Sequence, residues 1–509
     1  MNKSTNSLMI LSNKLFSLFA GIICGLCFAP VFFLPGIFCI SLLIAQIKIS
    51  QTRFEAIKFA YIFGFGFYLS SLYWISFALG VYIDQFWWVI PFALFGLPAF
   101  MAIFTSIIAL ICWQLRESKI YHFFFCCIWV FIEWVISWIF TGLPWALIGY
   151  AFSKWLILIQ FASIFGVFGL SFVVVYIASS PYNFLFTKPN IEKMGFYPRI
   201  ITSVIVLVFI VIYGYLRLEA NPTEYTNISA RLVQPSIPQT AKWEAEEFWR
   251  NLDMHVELSK KEGNPNLIIW SEAALTVPYH LKPVMQAILS VFANDEQILL
   301  TGGVSDNNKV DDDLELYSSL IGIDRYSTKI FEYHKAHLVP FGEYIPLKSV
   351  FSSVKKITHG MIDYVPGRMG QTIYLDKLNL RFRPLICYES IFPREDITTN
   401  ADAFINITND GWYGNSTGPY QHFEMARMRA IENGIPLIRV ANTGISGIID
   451  SYGRIISKTQ MLHSTTLDGY LPQKITNNTI YSNFAELTIL LLIAISYVIL
   501  LLLKENRTE

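Results

Sequence analysis

Charge is scarce in this chain. Only 15% of its 509 residues are Asp, Glu, Lys or Arg, while 54% are hydrophobic; an ordinary soluble domain carries about 25% charged residues. The 38 basic and 38 acidic side chains cancel, so no global basic field points to nucleic acid, and charge arguments must be local. Disulfide-forming cysteine is equally scarce. Six of the seven cysteines (Cys24, Cys27, Cys39, Cys112, Cys126, Cys127) lie in hydrophobic segments, where they read as small apolar fillers without a redox function. Cys387 stands alone in the hydrophilic stretch between Arg217 and Asn483, without a partner there, so it is either inertly buried or kept for its reactivity. The chain also lacks a P-loop, a G-x-G-x-x-G fingerprint, internal repeats and low-complexity tracts, which argues against nucleotide chemistry.

What is abundant is apolar sequence. Stretches long enough to cross a bilayer, which takes about 20 residues as a helix, occur at 12–28, 31–47, 56–79, 86–113, 122–140, 156–178, 200–216 and 485–503. The expectation is an α-helical membrane bundle of about eight spans, the first two separated only by the turn at Pro30. Lys and Arg near span ends stay on the cytoplasmic side. Lys3, Lys14, Lys48, Arg53, Lys58, Arg116, Lys119, Lys188, Lys193, Arg199, Lys504 and Arg507 fall at alternate ends, whereas the opposite short loops carry essentially only Lys154. Both termini are therefore expected to be cytoplasmic. The first segment is followed directly by a second and lacks an A-x-A-like site, so a removable signal peptide is disfavoured. Residues 1–217 are expected to hold seven spans, 218–483 an outer domain, and 484–509 the eighth span and a cytoplasmic tail. In a bacterium, that outer domain faces the periplasm from the inner membrane.

Between 218 and 483 the texture changes to short β-rich runs alternating with helical segments, the pattern of a layered α/β or α+β domain. Strands are expected at 228–234, 267–270, 298–304, 316–323, 330–334, 380–386, 403–408, 436–440 and 446–450, and helices at 243–260, 281–293 and 419–433. Three reactive side chains follow such strands: Glu272 after NLIIW, Lys335 after IFEYH and Cys387 after RFRPLI. Taken singly, each is an ordinary loop residue; together they form a mechanism. A thiol with a pKa near ~8.5 needs a base to become a nucleophile at neutral pH, and a carboxylate is one. Attack on an ester or amide carbonyl builds charge on oxygen, which a fixed ammonium stabilises. A Cys-His reading is weaker, because no histidine near Cys387 has an evident orienting partner in the local sequence.

The surrounding segments carry a resemblance. WSEAAL around Glu272, HKAHLVPFGEYIP around Lys335 and RPLICYESIFP around Cys387 resemble the Glu-Lys-Cys triad of the nitrilase superfamily, in the same order. The segment at 405–444, with INITNDGWYGNSTGPYQHFEMARMRA, is similar to the one that follows the nucleophile in the apolipoprotein N-acyltransferase branch. That branch also carries its outer domain between a seventh and an eighth membrane helix. The resemblance implies a nitrilase-like αββα sandwich at 218–483 and ping-pong acyl transfer without a cofactor. Glu272 would be the base, Cys387 the nucleophile and Lys335 the oxyanion partner, with Glu343, Tyr388 and Glu389 in support. The acyl donor would be a membrane phospholipid, and the acceptor the α-amine of a diacylglyceryl-cysteine at the start of an apolipoprotein. A thioester intermediate suits this chemistry, since an amine opens it more readily than an oxygen ester.

Several features stay open at this level. Residues 347–361 alternate apolar and lysine positions at helical spacing, as a surface helix or as an interfacial lid would. The H-x-E pattern of His422 and Glu424, and His334 and His337 beside Lys335, lack further ligands at metal-site spacing and read as structural polar residues. Glu133 lies inside the fifth apolar segment, where an ionisable group is either functional or bonded in the bundle interior. Trp145, Trp243, Trp412 and Tyr413 belong either to packing or to the wall of a substrate site. The alternatives to acyl transfer are a membrane-tethered amidase of the nitrilase type, for which eight spans are excessive, and a carrier, for which Glu133 is almost the only ionisable group inside the spans.

Overall fold

The computed structural model describes residues 13–118, 120–185, 193–306, 314–346, 348, 356, 362–395 and 400–485, with isolated positions at 487, 491, 494 and 498. The chain forms two compact units. One comprises Met1–Ser76, Trp88–Asn221 and Asn483–Glu509; the other comprises Phe77–Trp87 and Pro222–Ser482.

The first unit is helical. Its principal helices are α1 (Lys14–Gly25), α2 (Cys39–Ile49), α3 (Arg53–Leu72), α4 (Leu97–Trp113), α5 (Tyr121–Ile136), α6 (Ala162–Ser179) and α7 (Lys193–Glu219). Helix α3 starts where its sequence provides a cap: the Thr52 hydroxyl accepts from Glu55 N at 3.2 Å, and the Glu55 carboxylate accepts from Gln51 N at 2.8 Å. Helices α3 and α4 pack closely because Gly64 has no side chain, and a Cβ there would lie 2.5 Å from Thr105 Oγ1. Among the described residues, three helical stretches are long and apolar enough to cross a membrane: Phe92–Trp113, Ala162–Tyr182 and Tyr197–Glu219. Lys14–Gly25, Leu34–Ile49 and Tyr121–Ile136 are apolar but shorter. The expected eighth span at 485–503 falls mostly outside the described residues. Helix α7 turns Ile201, Val204, Ile205, Val208 and Phe209 outward, an apolar surface that hydrocarbon tolerates and water does not. Glu133 is bonded in the interior, where its Oε1 accepts from Trp129 Nε1 at 3.0 Å and Ile148 N at 2.8 Å.

The second unit contains two six-stranded sheets. The strands are β1 (Tyr225–Gln234), β2 (Leu267–Trp270), β3 (Ile298–Asp306), β4 (Leu316–Asp324), β5 (Lys329–His334), β6 (Ile373–Leu375), β7 (Leu380–Ile386), β8 (Ala403–Thr408), β9 (Leu437–Ala441), β10 (Gly447–Ile449), β11 (Ile455–Lys458) and β12 (Thr465–Pro472). The first sheet runs β12-β1-β2-β3-β4-β5 and the second β11-β10-β9-β8-β7-β6. In each, three neighbouring strands are parallel, β1 to β3 and β7 to β9, and the remaining pairs are antiparallel.

The sheets face each other across one apolar core to which Leu232, Leu267 and Leu300 contribute from one side and Phe382, Ile405 and Ile438 from the other. The outer face of the first sheet is covered by α8 (Phe248–Ser259) and α9 (Lys282–Leu289), and that of the second by α10 (Gly418–Asn433). The layers are thus helix, sheet, sheet, helix. Parallel strands covered on both faces read as continuous apolar runs, which is why LIIW and AFINIT are fully buried. Burying one such Leu, Ile or Phe side chain contributes roughly 1.5–3 kcal/mol.

Candidate active site

The reactive residues follow the ends of two parallel strands, β2 and β7, and of the antiparallel edge strand β5. Glu272 lies two residues beyond β2, on a turn whose next residue, Ala273, has φ +49°. Gly302 on β3 lets that turn approach, since a Cβ there would sit 2.5 Å from the Ser271 carbonyl oxygen. Lys335 directly follows β5, its backbone fixed by Lys335 N donating to Ser318 O and Gly367 N donating to Lys335 O, both at 2.8 Å. Cys387 directly follows β7 with φ +50°, a left-handed conformation that is strained for a side-chain-bearing residue, and opens the short 3-10 turn Cys387–Ile391. A nucleophile on a sharp strand-to-helix turn is lifted clear of the sheet edge.

The acid and cation meet directly. Lys335 Nζ donates to Glu272 Oε1 at 3.2 Å and to Glu343 Oε1 at 2.7 Å, so one ammonium joins two carboxylates. The far oxygens are also satisfied: Glu272 Oε2 accepts from Asn409 N at 2.8 Å, and Glu343 Oε2 from Val339 N at 2.7 Å. All three side chains are buried, Lys335 at 1% exposure. Burial opposes charge on Lys335, but the Glu272 and Glu343 carboxylates outweigh it and hold the ammonium well above the usual lysine range. For Glu343 the balance reverses, and burial raises its carboxyl despite the Lys335 charge.

The thiol sits in the opposite condition from a typical activated cysteine. Burial above all, and then the negative charge of Glu272, pushes Cys387 up to about 12, with Lys335 pulling the other way. The resting sulfur is therefore protonated, and attack requires a base at the moment of reaction. Cys387 also has Thr408 and the Tyr413 hydroxyl as hydrogen-bond neighbours.

Glu389 spans the site. Its Oε1 accepts from Tyr333 Oη at 2.8 Å, Ala336 N at 2.7 Å and His337 N at 3.3 Å, while Oε2 accepts from Ile386 N at 2.6 Å. It thereby ties the residues flanking Lys335 to the one preceding Cys387. Tyr388 is buried against His337 and Phe392, at ring distances of 5.6 and 5.0 Å.

Chain-long similarity decides the family. The protein is 52% identical to the apolipoprotein N-acyltransferase of Rickettsia typhi over 480 residues, covering 94% of this chain and 96% of that one. It is 50% identical to that of Rickettsia prowazekii over 498 residues, 97% of this chain and 99% of the relative. The chain belongs to the apolipoprotein N-acyltransferase family. The more distant family member of Brucella melitensis is 36% identical, over 82% of this chain and 80% of its own. Family models agree, with Carbon-nitrogen hydrolase matching residues 229–477 and Apolipoprotein N-acyltransferase N-terminal domain matching residues 20–180. The protein is thus an acyltransferase built on a nitrilase-like fold.

Within this member of the family the expected site residues separate into two groups. Glu272, Lys335, Glu343, Cys387, Tyr388, Glu389 and Tyr413 lie in the buried cluster just described. Trp412, half-buried beside it, has the Tyr82 ring at 6.3 Å, and Phe77 borders Gly414, so the segment Phe77–Trp87 packs on the turn that carries Tyr413. Trp243 is half-buried after the short helix Gln239–Lys242, whose Gln239 accepts from Asn409 Nδ2 at 2.7 Å. Trp145, by contrast, is buried in the helical unit with its ring 4.2 Å from that of Trp74. The stretch 347–361 lies outside the described residues save for Lys348 and Lys356.

Two features escaped sequence reasoning. Lys242 is buried near Glu272, and its Nζ makes no hydrogen bond among the described residues. His422, read as a structural polar residue, does have an orienting partner: Asp410 Oδ1 lies 2.8 Å from its Nδ1, and Arg439 Nη2 lies 3.0 Å away. The partners are 12 and 17 residues distant in sequence, beyond the reach of local patterns. Glu424, the other half of the H-x-E pattern, pairs with Arg427 at 2.9 Å.

Proposed function

We propose that the protein transfers a fatty acyl chain from a membrane phospholipid to the α-amine of an N-terminal diacylglyceryl-cysteine, through a thioester on Cys387. The observation that carries this reading is the buried Glu272–Lys335–Glu343 cluster at the sheet edge where Cys387 stands on its left-handed turn. Glu272 takes the Sγ–H proton as sulfur bonds to the ester carbonyl carbon, and Lys335 stabilises the oxygen that becomes negative. The carbon–oxygen bond then breaks, the departing lysophospholipid oxygen recovers the proton from Glu272, and the acyl group remains on sulfur. In the second half the neutral amine attacks the thioester, Glu272 accepts its proton, and the departing sulfur is reprotonated. Glu343 shares the Lys335 charge, while Tyr388 and Glu389 hold the nucleophile turn. Trp243, Trp412 and Tyr413 are assigned to the substrate wall, whereas Trp145, buried in the helical unit against Trp74, is assigned to packing there.

The helical unit anchors this chemistry in the bacterial inner membrane with about eight spans. Seven fall in residues 1–217 and the eighth in 484–509, with cytoplasmic termini and 218–483 in the periplasm. The one-sided distribution of Lys and Arg between spans supports that orientation.

Incubating detergent-purified protein with phospholipid alone and recording its intact mass tests the proposal. The expected product is an acyl-sized, hydroxylamine-labile adduct that is absent in Cys387→Ala and discharged by a diacylglyceryl-cysteinyl peptide. Absence of any adduct would refute the thioester. Discharge by water as fast as by peptide would make the protein a hydrolase.

A further inference from the structure

The sulfur of the nucleophile has two hydroxyl neighbours, and the reaction scheme uses neither. Both belong to the segment that leaves β8: Thr408 is the last residue of that strand, and Tyr413 ends the 3-10 turn Asp410–Tyr413. Thr408 Oγ1 and Tyr413 Oη are each hydrogen-bonded to Cys387 Sγ. The same segment touches the base, because Asn409 N donates to Glu272 Oε2 at 2.8 Å. Tyr413 is buried, with its carbonyl accepting from Ser416 Oγ at 2.6 Å and its ring 5.8 Å from that of His422. One turn thereby holds a hydroxyl at the sulfur and a backbone donor at Glu272.

The protons on these groups are fixed by their partners. Burial opposes charge on Asp410, but Arg439 Nη2, 2.9 Å from its Oδ2, outweighs it and holds the carboxyl down at about 2. Asp410 is therefore a carboxylate that only accepts, and Thr408 Oγ1, 2.9 Å from its Oδ1, directs its single proton there. Toward Cys387, Thr408 can then only accept, so it takes the S–H of the resting thiol. The Tyr413 O–H is left to donate to the sulfur lone pairs. That phenol keeps its proton: burial first, and then the negative charges of a Cys387 thiolate, Asp410 and Glu272, hold it well above the usual tyrosine range. It lends a hydrogen bond without giving up a proton.

The strength of that bond changes along the reaction. A thiol or thioester sulfur is a weak acceptor, whereas a thiolate is charged and binds a donor strongly. In the second half-reaction the amine nitrogen bonds to the carbonyl carbon and Glu272 takes its proton. The carbonyl then re-forms, the C–S bond breaks with its electron pair on sulfur, and the proton on Glu272 returns there to restore the S–H. Charge on sulfur is greatest as that bond breaks. Acylation by phospholipid ends instead with expulsion of an alkoxide, the poorer leaving group, from an intermediate whose sulfur is bonded to carbon and uncharged.

We propose that Tyr413 is a catalytic residue of the second half-reaction, whose hydroxyl hydrogen-bonds the Cys387 sulfur as it departs from the acyl carbon. This deepens the thioester reading and rests on it.

Separating the two half-reactions of the full-length protein in detergent tests the assignment. Parent and Tyr413→Phe are acylated on micelles of mixed phosphatidylethanolamine and phosphatidylglycerol, freed of donor, and mixed with either a diacylglyceryl-cysteinyl peptide or hydroxylamine. Intact mass follows each step. Hydroxylamine has no lipid chains to seat against a wall, yet it expels the same thiolate. Discharge of Tyr413→Phe by both nucleophiles should slow about 10–100-fold, the scale of one hydrogen bond to a charged group, so that acyl-enzyme accumulates. Its acylation should stay within about threefold of the parent, since sulfur is uncharged when the alkoxide leaves.

Slow discharge by peptide beside normal discharge by hydroxylamine would make Tyr413 only a wall for the acceptor and overturn the proposal. An equal fall in both half-reactions, or no change in either, would overturn it too. Should Tyr413→Phe fail to fold, 3-fluorotyrosine installed at position 413 keeps the shape and strengthens the donor. Hydroxylamine should then discharge the acyl-enzyme faster than in the parent, and an unchanged or slower discharge would refute the proposal. A parent that forms no acyl adduct removes the thioester reading and this proposal with it; a parent that does, beside an unaffected Tyr413→Phe, removes this proposal alone.

Discussion

The two sheets equip one site in different ways. From the first sheet come Glu272 and Lys335, joined to Glu343 through charge: one ammonium at 3.2 and 2.7 Å from two carboxylates. The second sheet contributes Cys387, held by backbone geometry: a left-handed turn whose carbonyl accepts from Ser390 Oγ. Proton affinities on the first side depend on neighbouring charges, and removing one partner exposes the others. The second side relies on the conformation of one turn, backed by the buried Asp410–Arg439 pair.

The severest way to break the charge side is Lys335→Met, which leaves two buried carboxylates without their cation. Acyl-adduct formation should fall to background, and stability should drop by about 3–5 kcal/mol, the cost of breaking a buried pair by removing one partner. Adding Glu343→Gln should restore part of that stability without any activity. Thermal unfolding in detergent, read beside intact mass, checks both; an unchanged unfolding temperature in the single variant would mean that the charges are not truly desolvated.

Glu272→Gln gives a sharper contrast, because its two effects have opposite signs. The Cys387 thiol is pushed up by burial and by the Glu272 charge, so removing that charge lowers the thiol's proton affinity and increases the thiolate at a given pH. Iodoacetamide alkylation at pH ~9 should accelerate several-fold, while acyl transfer, deprived of its base, should be lost. In the parent the alkylation rate should keep rising steeply beyond pH ~8.5, where an ordinary thiol levels off. Alkylation that declines together with acyl transfer would contradict this electrostatic picture.

Lys242→Met tests the weakest member. Burial lowers the ammonium to about 8, although Glu272 works in its favour. A lysine depressed in the folded state is destabilising wherever the unfolded chain binds the extra proton, so the parent gains stability as pH rises from about 8 towards the unfolded value of ~10.4. The variant should unfold roughly 2–4 °C higher at pH 7, with the gain fading near pH ~10.5. A lower unfolding temperature at pH 7 would show that Lys242 is stabilised by a partner.

Much of this was legible in the sequence because buried parallel strands are continuous apolar runs. Leu267–Trp270, Leu380–Ile386 and Ala403–Thr408 have the expected bounds, and each reactive residue follows its strand as the sequence indicates. The strands that escaped, Ile373–Leu375, Ile455–Lys458 and Thr465–Pro472, are all edge strands with half-exposed faces and weak alternation. The expected helix at 243–260 begins only at Phe248, after two short turns that carry Lys242 and Trp243 into place. What sequence could not reveal is long-range polar bonding. Asp410, His422 and Arg439 resemble surface residues in a string of letters, yet they meet in the interior because a turn, a helix and a strand converge there.

The position of Glu389 bears on assembly as well as chemistry. Three of its four donors, Tyr333, Ala336 and His337, follow the first sheet's chain, and the fourth, Ile386, belongs to the second. While the sheets are apart, water solvates this carboxylate; once they dock it is buried, and only the full set of four donors then replaces that water. Docking of the two sheets and completion of the Glu389 bonds are therefore a single event, and the same event sets the backbone beside Lys335 against the residue that precedes Cys387.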